Sequence, residues 1–386
     1  MGTMITLCIP TKNRPGFVAR LLQYYAQTGY RHQVLIGDSS DLTHAEATRR
    51  IAESFQDGLQ VQYASQPGWN VIQCLEALSR RATTPYCTWV SDDDFLCTRG
   101  LDRCVAFLED HPDYAAAHGL AMLFQVEGAG SFGAIGSARR YPHATLEGET
   151  ATQRLQDHFA NLRSLHTALR RTPHFLELVG GYGQMAGARQ GFIFDDLIPH
   201  GVAAIQGKVK TLDCLYLVRN AHAGMYRQMN LYEWVTDPDW WPSYQVFRDR
   251  VVDGLMRQDG LTHEEASRVV TEAFWPYLAQ GLTRSWQRYR TRPEAAPQAA
   301  IRFRALAAQM PGVRQAWRRL RAAVQRWRDE LSLPALLHPS SPYHDDFMQI
   351  YHAVQTPPAP LWQDAAFAGV RCASASHDLV GPRTLS

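Results

Sequence analysis

The sequence has no long apolar run. No stretch approaches the roughly 18 to 20 consecutive apolar residues of a membrane-spanning helix. The opening MGTMITLCIPTKNRPG carries a short apolar stretch, Met4 to Pro10, with no basic residue ahead of it. A secretory leader has a longer apolar core behind a basic start. The expectation is a cytoplasmic protein, at most peripheral at the inner face of a membrane. An excess of one charge is also missing: 39 basic and 37 acidic residues leave a formal net charge of +2. Global charge therefore favours neither a nucleic-acid binder nor an acidic tail protein. The seven cysteines, Cys8, Cys74, Cys87, Cys97, Cys104, Cys214 and Cys372, are odd in number and form no CxxC. They read as reduced, buried thiols rather than a disulfide framework or a zinc site. No GxGxxG follows the first apolar run, where CIPTKNRPG stands instead, and no GxxxxGK[ST] occurs. This argues against a dinucleotide-binding dehydrogenase and a P-loop kinase. There is no internal repeat and no low-complexity tract.

What is present is alternation. Met4 to Thr11 reads as a buried strand, and Phe17, Leu21, Leu22 and Tyr25 then recur at helical spacing behind Pro15. HQVLIGDSS is a second strand, THAEATRRIAESF a second helix with Thr43 placed as its N-cap, GLQVQYAS a third strand and NVIQCLEALSRRA a third helix. PYCTWVSDDDF closes the series as a fourth strand. The rhythm predicts an α/β fold: an open, mostly parallel sheet with flanking helices. A helix follows near Gly100, another starts near Thr172, and a strand runs from Leu212 to Arg219. From about Asn230 amphipathic helices take over, with Thr262 and Glu265 spaced as a capping box. The expected division is a catalytic domain over 1–228, a mainly α-helical C-terminal region over 229–355 and a tail over 356–386.

The stretch TTPYCTWVSDDDFL, residues 83–96, ends a hydrophobic run in three carboxylates, Asp92, Asp93 and Asp94. Adjacent like charges repel, and a buried carboxylate is costly unless paired or bound to a metal. By strand alternation Asp92 and Asp94 share one face and Asp93 points away, free to cap or orient the loop. Two converging carboxylates suit Mg²⁺ or Mn²⁺, which keep waters and substrate phosphates in their shells. The alternative is a solvated acidic turn with capping roles. Position favours a site, because open parallel sheets bind ligands at the carboxyl ends of their strands.

Taken together, ITLCIPTKNRP, VLIGDSS, TTPYCTWVSDDDFL and FLEDHPDYAAAHG resemble a GT-A glycosyltransferase similar to family 2 enzymes, within a bacterial group whose metal motif is a run of aspartates followed by Phe. The resemblance covers roughly residues 4–222. The second strand departs from it, ending in GDSS where many relatives carry an Asp-Asp or Asp-Asn pair. The acceptor-side acids stand in FIFDDLIP. The resemblance implies a UDP- or GDP-type nucleotide-sugar donor held with Mn²⁺ or Mg²⁺, and a glycan, lipid-linked or peptide acceptor. It implies that Pro10, Thr11 and Arg14 line the nucleotide pocket and that Asp38 accepts a hydrogen bond from the base. Asp38 reads equally well as an Asx-turn residue, and Asn70 as a nucleotide contact or an N-cap. Asp92 would contact the ribose or the metal, Asp94 would be the main metal ligand, and His222 would complete the shell.

Inverting transfer needs a general base for the acceptor hydroxyl. Asp196 is the first choice and Asp195 the reserve, since only one of two adjacent helical residues can face a cleft. A helix-capping pair is the alternative. Trp69, Trp89, Trp234, Trp240 and Trp241 are candidates for stacking on sugars or bases, or for the core. The basic stretch Arg314 to Arg328 reads either as an anionic-lipid contact or as a helix packed by its apolar stripe. A nucleotidyltransferase and a non-catalytic nucleotide-sugar binder are the competing functions.

Overall fold

The computed structural model describes residues 3–128, 130–143, 145–181, 197–222, 231–290 and 330–357. Strand β1 (Ile5–Thr11) is buried at every position, as a strand covered on both faces should be. The helix α1 (Pro15–Gln27) starts at Pro15, where no backbone N–H is needed. Between them Asn13 takes the left-handed conformation at φ 57°, which short Asx side chains tolerate. Its N–H donates to Ser40 Oγ at 2.7 Å, and its Oδ1 accepts from Asp41 N–H at 3.0 Å. The loop after β1 is thereby tied to the loop after β2 (Gln33–Asp38).

Helix α2 (Leu42–Ser54) is capped by Asp41, whose carboxylate accepts from His44 N–H. The expected cap, Thr43, lies inside the first turn because helical geometry already begins at Leu42. Strand β3 (Gln60–Ser65) leads to α3 (Val71–Ser79), which opens on a reciprocal capping box between Asn70 and Gln73. Strand β4 (Tyr86–Trp89) is followed by the two-residue β5 (Phe95–Leu96), α4 (Thr98–Asp110), the long β6 (Tyr114–Val126) and β7 (Ile135–Tyr141). Next come α5 (Ala151–Ala160), β8 (Leu169–Arg171), α6 (Thr172–Val179), α7 (Ile198–Ile205) and β9 (Lys208–Ala221). The later region holds α8 (Leu231–Val235), α9 (Trp240–Asp259), α10 (His263–Arg290), α11 (Leu333–Leu337) and α12 (His344–Gln355).

The sheet order is β3-β2-β1-β4-β8-β6-β9-β5, with β7 added to β6. The pairs β1–β2, β1–β4, β2–β3 and β6–β9 are parallel. The pairs β4–β8, β5–β9, β6–β7 and β6–β8 are antiparallel. The sheet among the described residues is therefore mostly parallel along its paired length, as expected, with shorter antiparallel ladders at β8, β7 and β5. Their direction escapes the sequence because short apolar segments serve either ladder.

The sheet separates two cores. Along β1, Ile5, Leu7 and Ile9 face one, and Cys8 faces the other. The first core is closed by α1, α2, α4 and, from far along the chain, Leu336, Phe347, Ile350 and Val354 of α11 and α12. The second holds α3, α5, α6 and α7 together with Trp234, Phe247 and Phe274 of α8, α9 and α10. Helix α4 lies so close to β9 that a Cβ at Gly100 would collide with the Leu215 carbonyl. The six described cysteines are buried and unbridged.

Candidate active site

The backbone of Val90 still bonds to β1, through its N–H to the Cys8 carbonyl at 3.1 Å. Beyond it the ladder ends and Ser91–Asp94 form a turn, closed by Asp94 N–H on the Ser91 carbonyl at 3.1 Å. Strand alternation therefore stops before the acids. All three are buried, at 0%, 6% and 5% exposure for Asp92, Asp93 and Asp94. Each has its own partners. Thr11 Oγ1 donates to Asp92 Oδ2 at 2.6 Å, and Arg14 Nη2 lies 2.6 Å from Asp92 Oδ1. Arg14 Nη1 donates to Asp93 Oδ2 at 2.9 Å, and His222 Nε2 stands 2.8 Å from the same oxygen. Asp94 Oδ1 accepts from Asn220 N–H at 2.9 Å, and Arg219 Nε donates to Asp94 Oδ2 at 3.1 Å.

This corrects the division expected from alternation. Asp93 does not point away; it shares Arg14 with Asp92 and meets His222. Asp94 turns instead to β9. The cause is the turn, which resets side-chain directions once the ladder hydrogen bonds are gone.

The charges follow from these contacts. Burial pushes Asp92 up to about 7 against the opposing pull of Arg14. Burial and then the charge of Asp93 push Asp94 up to about 6, opposed by Arg219. Burial alone would raise Asp93 too, but the His222 hydrogen bond and the Arg14 charge bring it down to about 2. Arg14 is itself desolvated, yet the charges of Asp92 and Asp93 prevail and hold it above the usual guanidinium value. Asp93 is thus the carboxylate most firmly kept as an anion.

The surroundings come from the strand ends. Pro10 pairs with Gly37, and Thr11 with Asp38, across β1 and β2. Asp38 is fully buried. Its Oδ1 accepts from Ser40 N–H at 2.9 Å, an Asx turn, and its Oδ2 accepts from Tyr63 Oη at 3.0 Å. Asn70 caps α3. The His222 ring stacks on Phe17 at 4.8 Å. Asp195, Asp196 and the basic stretch Arg314 to Arg328 lie outside the described residues. Trp234 is core, Trp89 stacks on His166 at 5.3 Å, and Trp69 and Trp241 are exposed. Trp240 packs edge-on to Trp234.

Sequence reasoning missed Arg219 and the Asn220 amide as partners of Asp94. The signal available was a charged residue closing the apolar run LYLV. It also missed the Phe17 ring as the support for His222.

A divalent cation fits this donor set. Asp93 Oδ2 and His222 Nε2 stand side by side, 2.8 Å apart, and a carboxylate oxygen beside an imidazole is a donor pair that Mn²⁺ accepts. Among the described residues no group of three or more His, Cys, Asp or Glu cages a metal alone. An ion held by this pair would draw the rest of its shell from waters and phosphates.

A deeply buried acid turn thus lies at the carboxyl ends of parallel strands in an open α/β sheet, where such sheets bind their ligands. Residues 6–142 match the model described as Glycosyl transferase family 2, a span running from β1 through β7. No curated protein matches the chain. Among solved structures, S. aureus TarS is 15% identical with a TM-score of 0.42, covering 70% of this chain and 43% of that one. This chain thus spans less than half the length of that relative. S. aureus TarS 1-349 in complex with UDP-GlcNAc is 14% identical with a TM-score of 0.46, covering 71% and 72%. Mannosyltransferase PcManGT from Pyrobaculum calidifontis, in complex with GDP-Man and Mn²⁺, is 16% identical with a TM-score of 0.42, covering 83% and 85%. No helix among the described residues is long and apolar enough to cross a membrane.

Proposed function

We propose that the chain transfers a sugar from a nucleoside-diphosphate donor to a hydroxyl acceptor. The observation that carries this is the constellation Thr11–Asp92–Arg14–Asp93–His222, built from β1, α1, the acid turn and the end of β9. It falls largely within the part of the chain that matches the family model. Asp93 and His222 would hold Mn²⁺ or Mg²⁺, which when bound neutralises the charge growing on the departing diphosphate. Asp92, braced by Thr11 and Arg14, faces the ribose side. Pro10, Thr11 and Asp38 line the nucleotide pocket, and Asp38 keeps lone pairs for a base N–H beyond its two present bonds. Asn70 serves chiefly as a cap. Asp94 is committed to Arg219 and the Asn220 amide, so its role is to fix the turn against β9.

For inverting transfer, Asp196, with Asp195 in reserve, is the general base that takes the acceptor proton as its oxygen attacks the anomeric carbon. The donor is of UDP or GDP type, and the acceptor is a glycan, a lipid-linked sugar or a peptide. The test is release of nucleoside diphosphate from a panel of nucleotide sugars with Mn²⁺, with and without EDTA. Release that EDTA abolishes supports the reading. Pyrophosphate release from a nucleoside triphosphate and a sugar phosphate would replace it with nucleotidyl transfer. Donor binding without turnover, unchanged in Asp93→Ala, would leave a binding protein.

A further inference from the structure

Arg20 sits on the buried side of α1 with no exposure, in the run FVARLLQYY. Its guanidinium carbon stands 4.8 Å from the Phe17 ring centre, 5.0 Å from Phe95 and 5.9 Å from Phe124. Burying a guanidinium costs several kcal/mol, and an apolar residue of similar volume is often the more stable choice. A cation kept here therefore needs a structural reason, and its hydrogen bonds give one. Nη2 donates to the backbone carbonyl of Asp93 at 2.6 Å. Nη1 donates to the backbone carbonyl of Ser131 at 2.7 Å. One planar fork thus spans two carbonyls more than thirty residues apart, which a lysine, as a point charge on a flexible stem, does not do.

The Ser131 end is itself anchored. Glu127 N–H bonds to the Ala134 carbonyl at 2.8 Å, and Gly133 N–H bonds to the Val354 carbonyl of α12 at 3.0 Å. Phe17, which stacks on the guanidinium, carries the His222 ring on its other contact. Arg20 thus touches the supports of both Asp93 and His222 without meeting either side chain's donor atom.

We infer that Arg20 is a positioning residue for the acid turn: it fixes the Asp93 backbone to Ser131, and α12 holds the neighbouring Gly133 from behind. The consequence for metal affinity rests on the proposed roles of Asp93 and His222; the consequence for the turn does not.

The test compares the full-length native chain with Arg20→Met, Arg20→Lys and Asp93→Ala. Hydrogen exchange is followed over residues 90–97, and Mn²⁺ alone is titrated by the loss of its free-ion EPR signal. Folding of each variant is checked by thermal melting. In Arg20→Met the amides of the turn should exchange at least about tenfold faster while β1 and β2 keep their protection, as expected of a local opening. Its Mn²⁺ affinity should fall about tenfold, the lower end for losing an outer-shell support. That sign is diagnostic, because removing a nearby positive charge would by Coulomb's law tighten cation binding. Arg20→Lys should fall between the two in both readouts. Unchanged exchange of the turn in Arg20→Met, or Mn²⁺ binding as tight as native or tighter, overturns the inference. If Arg20→Met does not fold, Arg20→Lys decides: native exchange and native affinity overturn it. A native chain that ignores Mn²⁺, or an Asp93→Ala variant that binds it normally, refutes the metal reading instead, and the exchange data still judge Arg20.

Discussion

Two buried polar clusters, the acid turn that follows β4 and a histidine cluster beside Trp89 of β4, solve the same problem in opposite ways. The acid turn gathers counter-charge around its acids and holds Asp93 most firmly as an anion. Arg14 and Arg219 pair with its three carboxylates, and Arg20 ties down its backbone. The second cluster, His158, His166 and His200, gives its charge up. His158 Nε2 and His200 Nδ1 are 3.2 Å apart, and the His166 and His200 rings meet edge to face at 5.1 Å. Burial and then Arg170 push His200 down to about 3. Burial and then neighbouring His200 hold His158 and His166 well below the usual imidazole value. The buried Arg170 is itself lowered to about 10 by desolvation, and its hydrogen bonds go to the Ala168 and Leu165 carbonyls. Desolvation works against the charged form in both clusters, and at the acid turn the fold answers it with counter-charges. Around His158, His166 and His200 the neighbouring charges, led by His200 and Arg170, add to the desolvation instead.

The comparison can be broken first at Asp93. Asp93→Ala should lower sugar transfer about a thousandfold, a few kcal/mol of barrier, with a native melting profile. Asp94→Asn should cost less activity, and steady-state rates for the pair decide between the turn and the strand reading of the triplet. Next is Arg219→Ala, which strands Asp94 as a buried charge. Losing one partner of such a pair costs roughly 3 kcal/mol, read as a lower denaturation midpoint at pH 7, and Asp94→Asn in that background should recover part of it.

The histidine cluster sharpens the contrast through pH. With a folded value of about 3 for His200 and an unfolded value near 6.5, the unfolded chain binds more protons between those limits. The contribution of His200 is therefore present above about pH 6.5 and is lost as the pH falls toward 3. It approaches about 1.4 kcal/mol per pH unit at most. His200→Gln should flatten denaturant-derived stability against pH over that window, relative to the native chain; parallel curves would refute the neutral-cluster reading. The facing groups in that comparison are His158, His166 and Arg170. The smallest effect is expected at Thr11→Val. Losing its 2.6 Å hydrogen bond to Asp92 should cost about 1 kcal/mol in nucleoside-diphosphate affinity measured by calorimetry.

The first four strands and three helices were legible because a strand buried on both faces reads as a continuous apolar run, as ITLCIPT does. The Asn70 cap was legible because a capping box is local. The antiparallel entry of β8 was not, since LRR carries no sign of its direction. The acid triplet was singled out by its position, and only its side-chain directions were misread. Alternation holds only while the ladder lasts, and the Asp94–Ser91 hydrogen bond marks where it has stopped. Arg14 was legible as part of TKNRP. Arg219 and His222 reach the turn from more than a hundred residues away, a convergence set by the β5–β9 pairing, Phe95 on Val218 and Leu96 on Leu217.

Helix α12 sets a timetable as well as a contact. It covers part of α1, and Gln23 Nε2 bonds to the Thr356 carbonyl across 333 residues. As the chain leaves the ribosome, the surface of α1 destined for α12 has no native cover until the last described helix is made. Synthesis at about 5 to 20 residues per second leaves that apolar surface waiting for tens of seconds. A nascent chain of this design has to be shielded over that interval, and one halted before α12 would be an aggregation hazard however complete its acid turn.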